Sequence, residues 1–171
     1  IGSPVAGRNH TDLEPIIGVF INTLALRNFP RPHVSFSQFL REIKDNTLQA
    51  FENQSYPFED LVDRVDVRRD TGRNPLFDVL YVYQSSYEAG TGNGEPAPAK
   101  EDVTASSGED FYEGQRAKFD LTFNIAPFKQ GLTVFIKYST RLFKLETIHA
   151  MGDRLREIVR QVTEQPGNPL G

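Results

Sequence analysis

Residues 53–78, around which the rest of the chain is organised, read NQSYPFEDLVDRVDVRRDTGRNPLFD. Its YPFE segment at 56–59 predicts the start of a short helix, because a first helical turn tolerates a proline that lacks a donor N–H. Four apolar residues at helical spacing then predict one apolar face: Phe58, Leu61, Val62 and Val65. An arginine-rich run follows and ends at Asn74-Pro75, before an apolar strand. Composition alone favours a surface helix followed by a solvated charge run. Any functional role for the motifs in this stretch is therefore a hypothesis.

The composition indicates one domain without a membrane segment. A chain of 171 residues that folds alone buries about 70% of its extended surface. Its 19 Lys+Arg against 23 Asp+Glu argue against a nucleic-acid partner, since phosphate binding requires a basic surface. No apolar run approaches the roughly 20 residues that span a bilayer, and no signal peptide opens the sequence. Without cysteine there are no disulfides and no thiolate chemistry, and we expect a cytoplasmic protein.

Both ends of the sequence are predicted to be cuts in a longer polypeptide. Residues 1–7 begin with Ile1 rather than methionine and are typical of a strand that runs into a turn. Residues 165–171, QPGNPLG, are typical of a linker built from turn residues.

Residues 16–27, IIGVFINTLALR, are apolar on both alternating faces. This pattern predicts a strand inside a sheet that is covered on both sides. Gly18 indicates either a bulge or close backbone approach, or simple tight packing. Asn22 is the one polar amide in this run, and a buried amide requires partners. It either bonds a neighbouring loop or faces a cavity, and the sequence leaves both alternatives open.

The remaining chain alternates helices and strands. Ser35 fits an N-cap, with Gln38 completing a capping box, and the helix to Glu52 is predicted to present a core face: Phe36, Phe39, Leu40, Ile43, Ala50 and Phe51. Residues 76–84 predict a strand in which Asp78 pairs with a nearby arginine. Residues 87–115 are long and aperiodic, typical of a functional excursion or of disorder.

A hairpin and a final helix complete the predicted fold. The strands are 118–126 and 132–139 with a turn at 127–131, and the helix begins at Leu145 with an apolar stripe: Ile148, Met151, Leu155, Ile158, Val159 and Val162. Interleaved strands and helices predict an α/β fold with a two-layer mixed sheet. The three histidines lie far apart in sequence, so we predict no metal site and no catalytic residue within this chain.

Three motifs carry a resemblance to a known family. Residues 17–23 with Arg27 are similar to its I-G-x-F-V-N-T strand, residues 53–59 to its H/N-Q-D-Y-P-F-E motif, and residues 69–76 to its R-D-x-S-R-N-P-L motif. Residues 2–8 resemble the strand that precedes them. The chain therefore resembles the C-terminal part of the condensation domain of nonribosomal peptide synthetases. The catalytic H-H-x-x-x-D-G motif of that family lies in the first half of the domain and is not in this sequence.

The resemblance implies a fold, a reaction and partners. Residues 1–164 would form an incomplete chloramphenicol-acetyltransferase-like C-terminal lobe, with 87–115 as the segment that reaches across to the other lobe and 165–171 as a linker. The whole domain forms a peptide bond between two thioesters in a tunnel between the lobes. The implied partners are the donor and acceptor peptidyl carrier proteins, the N-terminal lobe and the adjacent adenylation domain. Phosphopantetheine would be carried by the carrier proteins, and no cofactor would be bound directly.

The resemblance and the residue types together nominate tunnel-lining or structural residues. Asn22 and Thr23 would supply donors for a thioester oxygen or a pantetheine amide. Arg8 and Arg73 are candidates for a salt bridge to the Asp of the absent motif. The full set is Arg8, Gly18, Asn22, Thr23, Tyr56, Glu59, Arg69, Asp70, Arg73 and Asn74.

Two positions depart from the family pattern. Ser55 stands where the family has Asp, and Gly72 stands where it has Ser. An alternative function is a non-catalytic module from a degenerate condensation domain that only docks carrier proteins. The sequence upstream of this chain distinguishes the two hypotheses, since only the enzyme requires an intact H-H-x-x-x-D-G motif.

Overall fold

The structure is a computed structural model that describes residues 1–8, 10–13, 15–65, 73–84, 117–128 and 131–171. It divides into two compact units, Ile1–Leu80 with Gln165–Gly171, and Tyr81–Glu164. Each unit is described separately below. The predicted loop 87–115 and the arginine-rich residues 68–69 lie outside the described residues.

The first unit contains two strands, a short 3-10 turn, two helices and the beginning of a third strand. The elements are β1 (Gly2–Val5), the turn Thr11–Leu13, β2 (Asn22–Ala25), α1 (Phe36–Glu52), α2 (Phe58–Arg64) and the start of β3 (Val79–Tyr83). The second unit contains the rest of β3, β4 (Leu121–Phe128), β5 (Gly131–Tyr138) and α3 (Leu145–Glu164).

The sheet is mixed, as predicted. In the first unit the strand order is β2-β1-β3. β1 pairs antiparallel with β2, from Gly2 opposite Ala25 to Val5 opposite Asn22. It pairs parallel with β3, where Gly2 lies opposite Leu80. In the second unit the order is β3-β4-β5, with β4 and β5 antiparallel. Both strand senses therefore occur, and the α/β class is confirmed.

The start of α1 is capped in two ways. Ser35 is the N-cap, and its Oγ accepts a hydrogen bond from the backbone N–H of Gln38 at 3.3 Å, as predicted. The carbonyl oxygens of Pro166 and Asn168 accept from the N–H groups of Ser37 and Phe36, at 2.9 and 3.1 Å. First-turn N–H groups have no partner within their own helix. Residues 165–171 therefore contribute directly to the stability of α1, and their role as a linker stays a prediction.

The predicted interior strand 16–27 is wrong in extent and in burial. Only Asn22–Ala25 is a strand, and the side chains of Ile17 and Val19 are 101% and 92% exposed. The physical reason lies in pairing, because β2 ends the strand order and residues 16–21 belong to no strand. A run that is apolar on both faces indicates a segment that is more stable when it packs against other apolar groups. The pattern does not show which part of the protein packs against it.

The helices are also less buried than predicted. α1 has no buried residue, and Leu40 and Phe51 of its expected core face are exposed. In α3 the residue Ile148 is buried, whereas Ile158 and Val159 of the same stripe are exposed. The buried apolar residues among those described are Val5, Leu24, Val34 and Phe77 in the first unit, and Leu121, Ala126 and Ile148 in the second.

The β4–β5 hairpin is tighter than predicted. Pairing continues through Pro127 opposite Leu132 to Phe128 opposite Gly131, so β4 and β5 both extend further than the predicted strands 118–126 and 132–139 at this end of the hairpin. The expected turn at 127–131 is therefore shortened by the strand pairing on both sides.

An exposed ion network on α3 yields a prediction about pH. The guanidinium of Arg160 contacts the carboxylate of Glu157 at 2.7 Å and that of Glu164 at 2.8 Å. Hydrogen bonds from Arg160 and then from Gln161 lower the pKa of Glu157 from 4.5 to about 2. A lowered pKa stabilises the folded state above the ordinary pKa, and this stabilisation is lost as pH falls from 4.5 through about 2.

Replacing Arg160→Gln is expected to raise the pKa of Glu157 towards its ordinary value. The check is an NMR titration of the Glu157 side-chain carboxyl between pH 1.5 and about 6. Arg154→Gln, on the same helix, is the matched control and should leave the titration unchanged. An unaltered Glu157 titration in Arg160→Gln would show that this network does not hold the carboxylate.

Candidate functional site

The side-chain amide of Asn22 joins two of the three motifs. Its Nδ2 donates to the carbonyl oxygens of Gln54 and Tyr56, both at 2.7 Å. Its Oδ1 accepts from the backbone N–H of Thr23 at 2.8 Å and of Phe58 at 3.2 Å. Of the two alternatives predicted for Asn22, the structure shows the bond to a neighbouring loop.

The bond from Phe58 has a local cause in the sequence. The N-cap of α2 is Pro57, which makes no side-chain hydrogen bond to the helix. The first N–H groups of a helix need an acceptor from outside it. Asn22 supplies that acceptor to Phe58 from the beginning of β2, so a residue 36 positions away caps the short helix.

Asn74 shapes the chain ahead of β3. Its Oδ1 accepts from the N–H of Leu76 at 3.1 Å and of Phe77 at 3.3 Å, which is the Asx turn that asparagine favours. The turn delays the start of β3 to Val79, three residues later than predicted. It also directs Phe77 inwards, where its side chain is only 6% exposed.

Phe77 packs against two other segments of the first unit. Its ring meets that of Phe58 edge to face, with centroids 5.7 Å apart. A Cβ atom on Gly2 would lie 2.2 Å from the same ring. Because only glycine leaves that space, Gly2, Phe58 and Phe77 bring together β1, α2 and the segment that precedes β3.

Arg73 and Asp78 form a two-pronged ion pair across the Asn74 turn. Nε of Arg73 lies 3.2 Å from Oδ1 of Asp78, and Nη2 lies 2.9 Å from Oδ2. The predicted pairing of Asp78 with a nearby arginine is confirmed. Both side chains are more than a third exposed, and exposed pairs contribute only about 0–1 kcal/mol. The pair therefore helps to fix the conformation of the turn but contributes little to the stability of the protein.

Arg8 organises the segment that precedes β2. Its guanidinium donates to the carbonyl oxygens of Leu13 and, at 3.4 Å, of Gly18. It also lies 4.4 Å from the centroid of the Phe20 ring, a cation–π distance. At Gly18 a Cβ atom would lie 3.2 Å from the Phe20 ring, which is tight packing. Arg8 thus holds Leu13, Gly18 and Phe20 in place, while Ile17 and Val19 face solvent.

The other predicted site residues contribute less. Tyr56 bonds through its carbonyl oxygen, and its side chain is 44% exposed. Thr23 donates its backbone N–H to Asn22, and Glu59 lies exposed in the first turn of α2. Arg69 and Asp70 lie outside the described residues. Gly2, Gly7 and Phe77 were missed as structural residues, although a glycine at the start of β1 and another two residues after its end were a visible signal.

The described residues assemble a frame without a reactive centre. No group of three His, Cys, Asp or Glu side chains in the described ranges could hold a metal ion. No charged or polar side chain among them is buried. Partial burial, and then the neighbouring Tyr83, raise the pKa of the Tyr81 hydroxyl above its ordinary value. Within the same residues, no helix is long and apolar enough to cross a membrane.

Comparison with known proteins identifies the family. A family model described as "Condensation domain" matches residues 1–171. The chain belongs to the condensation domain family. It is 42% identical over 173 residues to tyrocidine synthase 3 of Brevibacillus parabrevis, which covers 100% of this chain and 2% of the relative. It is 41% identical over 172 residues to bacitracin synthase 3 of Bacillus licheniformis, which covers 99% and 2%.

A solved condensation domain has the same fold. The condensation domain of the monacolin K polyketide synthase MokA superimposes with a TM-score of 0.73 at 19% identity, over 99% of this chain and 38% of that one. This likeness confirms the fold class that the motifs implied. This condensation-domain chain therefore spans well under half of the solved domain and about a fiftieth of the two curated relatives.

Proposed function

We propose that this chain is the C-terminal part of a condensation domain that forms peptide bonds between thioesters held by carrier proteins. The observation that carries the proposal is the family match over residues 1–171, supported by about 40% identity to synthases of tyrocidine and bacitracin. In the reaction the α-amine of the acceptor attacks the thioester carbonyl of the donor. A C–N bond forms, the C–S bond breaks, and the thiol of the donor arm leaves with a proton.

The chain's own share of this reaction is structural. No histidine, carboxylate or other polar side chain among the described residues is buried, and we assign the reacting imidazole to the H-H-x-x-x-D-G motif of the upstream half, as the family resemblance implies. The exposed apolar segment around Ile17, Val19 and Ile21 is proposed as part of the tunnel wall. Arg8 and Arg73 are proposed to meet the Asp of the upstream motif. In the first unit Arg73 already pairs with Asp78, so the upstream Asp would join an existing ion pair.

The proposed partners follow from the reaction. Donor and acceptor peptidyl carrier proteins would each present a phosphopantetheine arm, and this chain would bind no cofactor itself. The N-terminal lobe of the same domain would complete the tunnel, and an adenylation domain would lie next to it on the same polypeptide. We propose a cytoplasmic location, where aminoacyl substrates are made.

The test is a reconstitution with the complete polypeptide that carries this chain. Donor and acceptor carrier proteins are loaded with aminoacyl-phosphopantetheine, and the mass of the acceptor protein is followed with time. A gain equal to the donor acyl group supports the proposal, and replacing the second histidine of the upstream H-H-x-x-x-D-G motif by alanine should abolish it. Carrier proteins that bind without any gain in mass would instead support the docking module.

A further inference from the structure

We propose that Asn22 is a positioning residue for the condensation reaction, acting through the loop that it holds rather than by touching substrate. This inference rests on the proposed function. It concerns how the strand motif that contains Asn22 and the loop motif at 53–59 cooperate. The side chain of Asn22 leaves its own strand and bonds the backbone of the loop motif. Its role therefore extends beyond the stability of β2.

The hydrogen bonds of Asn22 use the whole capacity of its side chain. A carboxamide has two N–H donors and an oxygen with two lone pairs. The donors end on the carbonyl oxygens of Gln54 and Tyr56, and the lone pairs receive the N–H groups of Thr23 and Phe58. An amide engaged in this way has no donor left for a thioester oxygen. It can influence the reaction only through the backbone that it holds.

The four partners also explain why the residue is asparagine. Two acceptors and two donors converge on one planar group, a pattern that only a carboxamide complements. Aspartate has almost the same shape, but its carboxylate would face the two carbonyl oxygens of Gln54 and Tyr56 without a hydrogen to offer. Alanine would leave four backbone groups without their partner. Asn22→Asp is therefore the sharper substitution, since it changes the donors and leaves the volume nearly unchanged.

The surface that Asn22 positions is formed by its neighbours. Ile21 precedes it and is 68% exposed, and Tyr56, whose carbonyl it binds, is 44% exposed. Through Phe58 the same side chain also sets the start of α2. If Asn22 no longer held the loop, the exposed side chains of Ile21 and Tyr56 would no longer keep fixed positions relative to each other. The reaction requires that these positions are fixed.

The experiment compares two asparagines in the complete polypeptide. Asn22→Asp is measured beside Asn46→Asp. Asn46 is exposed on α1, and among the described residues its side chain bonds only that of Asn28, at 3.1 Å. Single-turnover peptide-bond formation is measured with saturating loaded carrier proteins, at a temperature where circular dichroism shows both variants folded. Amide hydrogen exchange is measured in parallel on peptides that cover residues 22–25 and 53–64. If Asn22→Asp does not fold, the uncharged Asn22→Ser is measured in its place.

The proposal predicts a paired result. Asn22→Asp should lose at least about tenfold in rate, the equivalent of roughly 1.4 kcal/mol, and both peptides should exchange faster. Asn46→Asp should change neither. A slower rate with unchanged exchange would mean that Asn22 acts on the substrate directly, which overturns the proposal, as does an unchanged rate. If the unmodified polypeptide forms no peptide bond, the proposed function itself fails and this inference fails with it.

Discussion

Phe77→Ala is expected to lower the free energy of unfolding by about 3–5 kcal/mol, the range for truncating a buried phenylalanine. The ring is 6% exposed, packs edge to face on Phe58, and fills the space beside Gly2. Its removal would leave a cavity bordered by three segments of the first unit. The free-energy cost of the cavity adds to that of the lost apolar burial. If the three segments cannot collapse onto one another, the loss should lie towards the upper end of this range.

The matched control is Phe29→Ala. Phe29 is 64% exposed and lies in no helix or strand. The guanidinium of Arg27 lies over its ring, 5.1 Å from the centroid. An exposed cation–π pair contributes about 0.5–1 kcal/mol, so this variant should lose no more than that. The measurement is urea unfolding followed by circular dichroism. Equal losses for the two variants would show that Phe77 is not central to the first unit.

Gly7→Ala is expected to destabilise the chain by about 2 kcal/mol or more. Gly7 has a φ of 65°, a left-handed conformation that costs other residues roughly 1–2 kcal/mol. A Cβ atom there would also lie 1.8 Å from the carbonyl oxygen of Phe20, and overpacking against neighbours costs about 1–3 kcal/mol. The neighbour is backbone and cannot rotate away, so the segment ahead of β2 would have to move.

Gly167→Ala is the control for this substitution. A Cβ atom on Gly167 would meet no atom within 4 Å, and its φ is not in the left-handed region. The unfolding midpoint in urea should fall for Gly7→Ala and stay close to that of the unmodified chain for Gly167→Ala. Similar midpoints for both variants would contradict the close approach of Gly7 to Phe20.

Local patterns in the sequence predicted the elements well. The N-cap at Ser35, the end of α1 at Glu52 and the start of α3 at Leu145 were all predicted, because capping chemistry and helical periodicity depend on near neighbours. The pairing of Asp78 with Arg73 was also predictable, since the two residues lie only five positions apart. The element order followed from the same signals.

The arrangement of the site was not predictable from local patterns. Asn22 was recognised as a polar residue in an apolar run, but its partners Gln54, Tyr56 and Phe58 lie more than 30 positions away. The exposure of residues 16–21 was missed for a related reason. The apolar pattern shows that a segment favours contact with other apolar groups. Whether it is buried depends on which strands pair with it, and that is not a local property.

The motif residues that the structure describes are connected to one another and to the first unit. Asn22 connects the strand motif to the loop motif, and Asn74 and Phe77 connect the third motif to β1 and α2 through Gly2 and Phe58. These connections would hold the wall of the tunnel in the proposed function, in which the upstream half supplies the imidazole.

Peptide-bond formation by the complete polypeptide is read directly from the mass of the acceptor carrier protein after incubation with its loaded donor. We expect a gain equal to one donor acyl group with the unmodified polypeptide, and this gain should appear at least about tenfold more slowly with Asn22→Asp. An acceptor mass that never changes, although both carrier proteins bind, would contradict it.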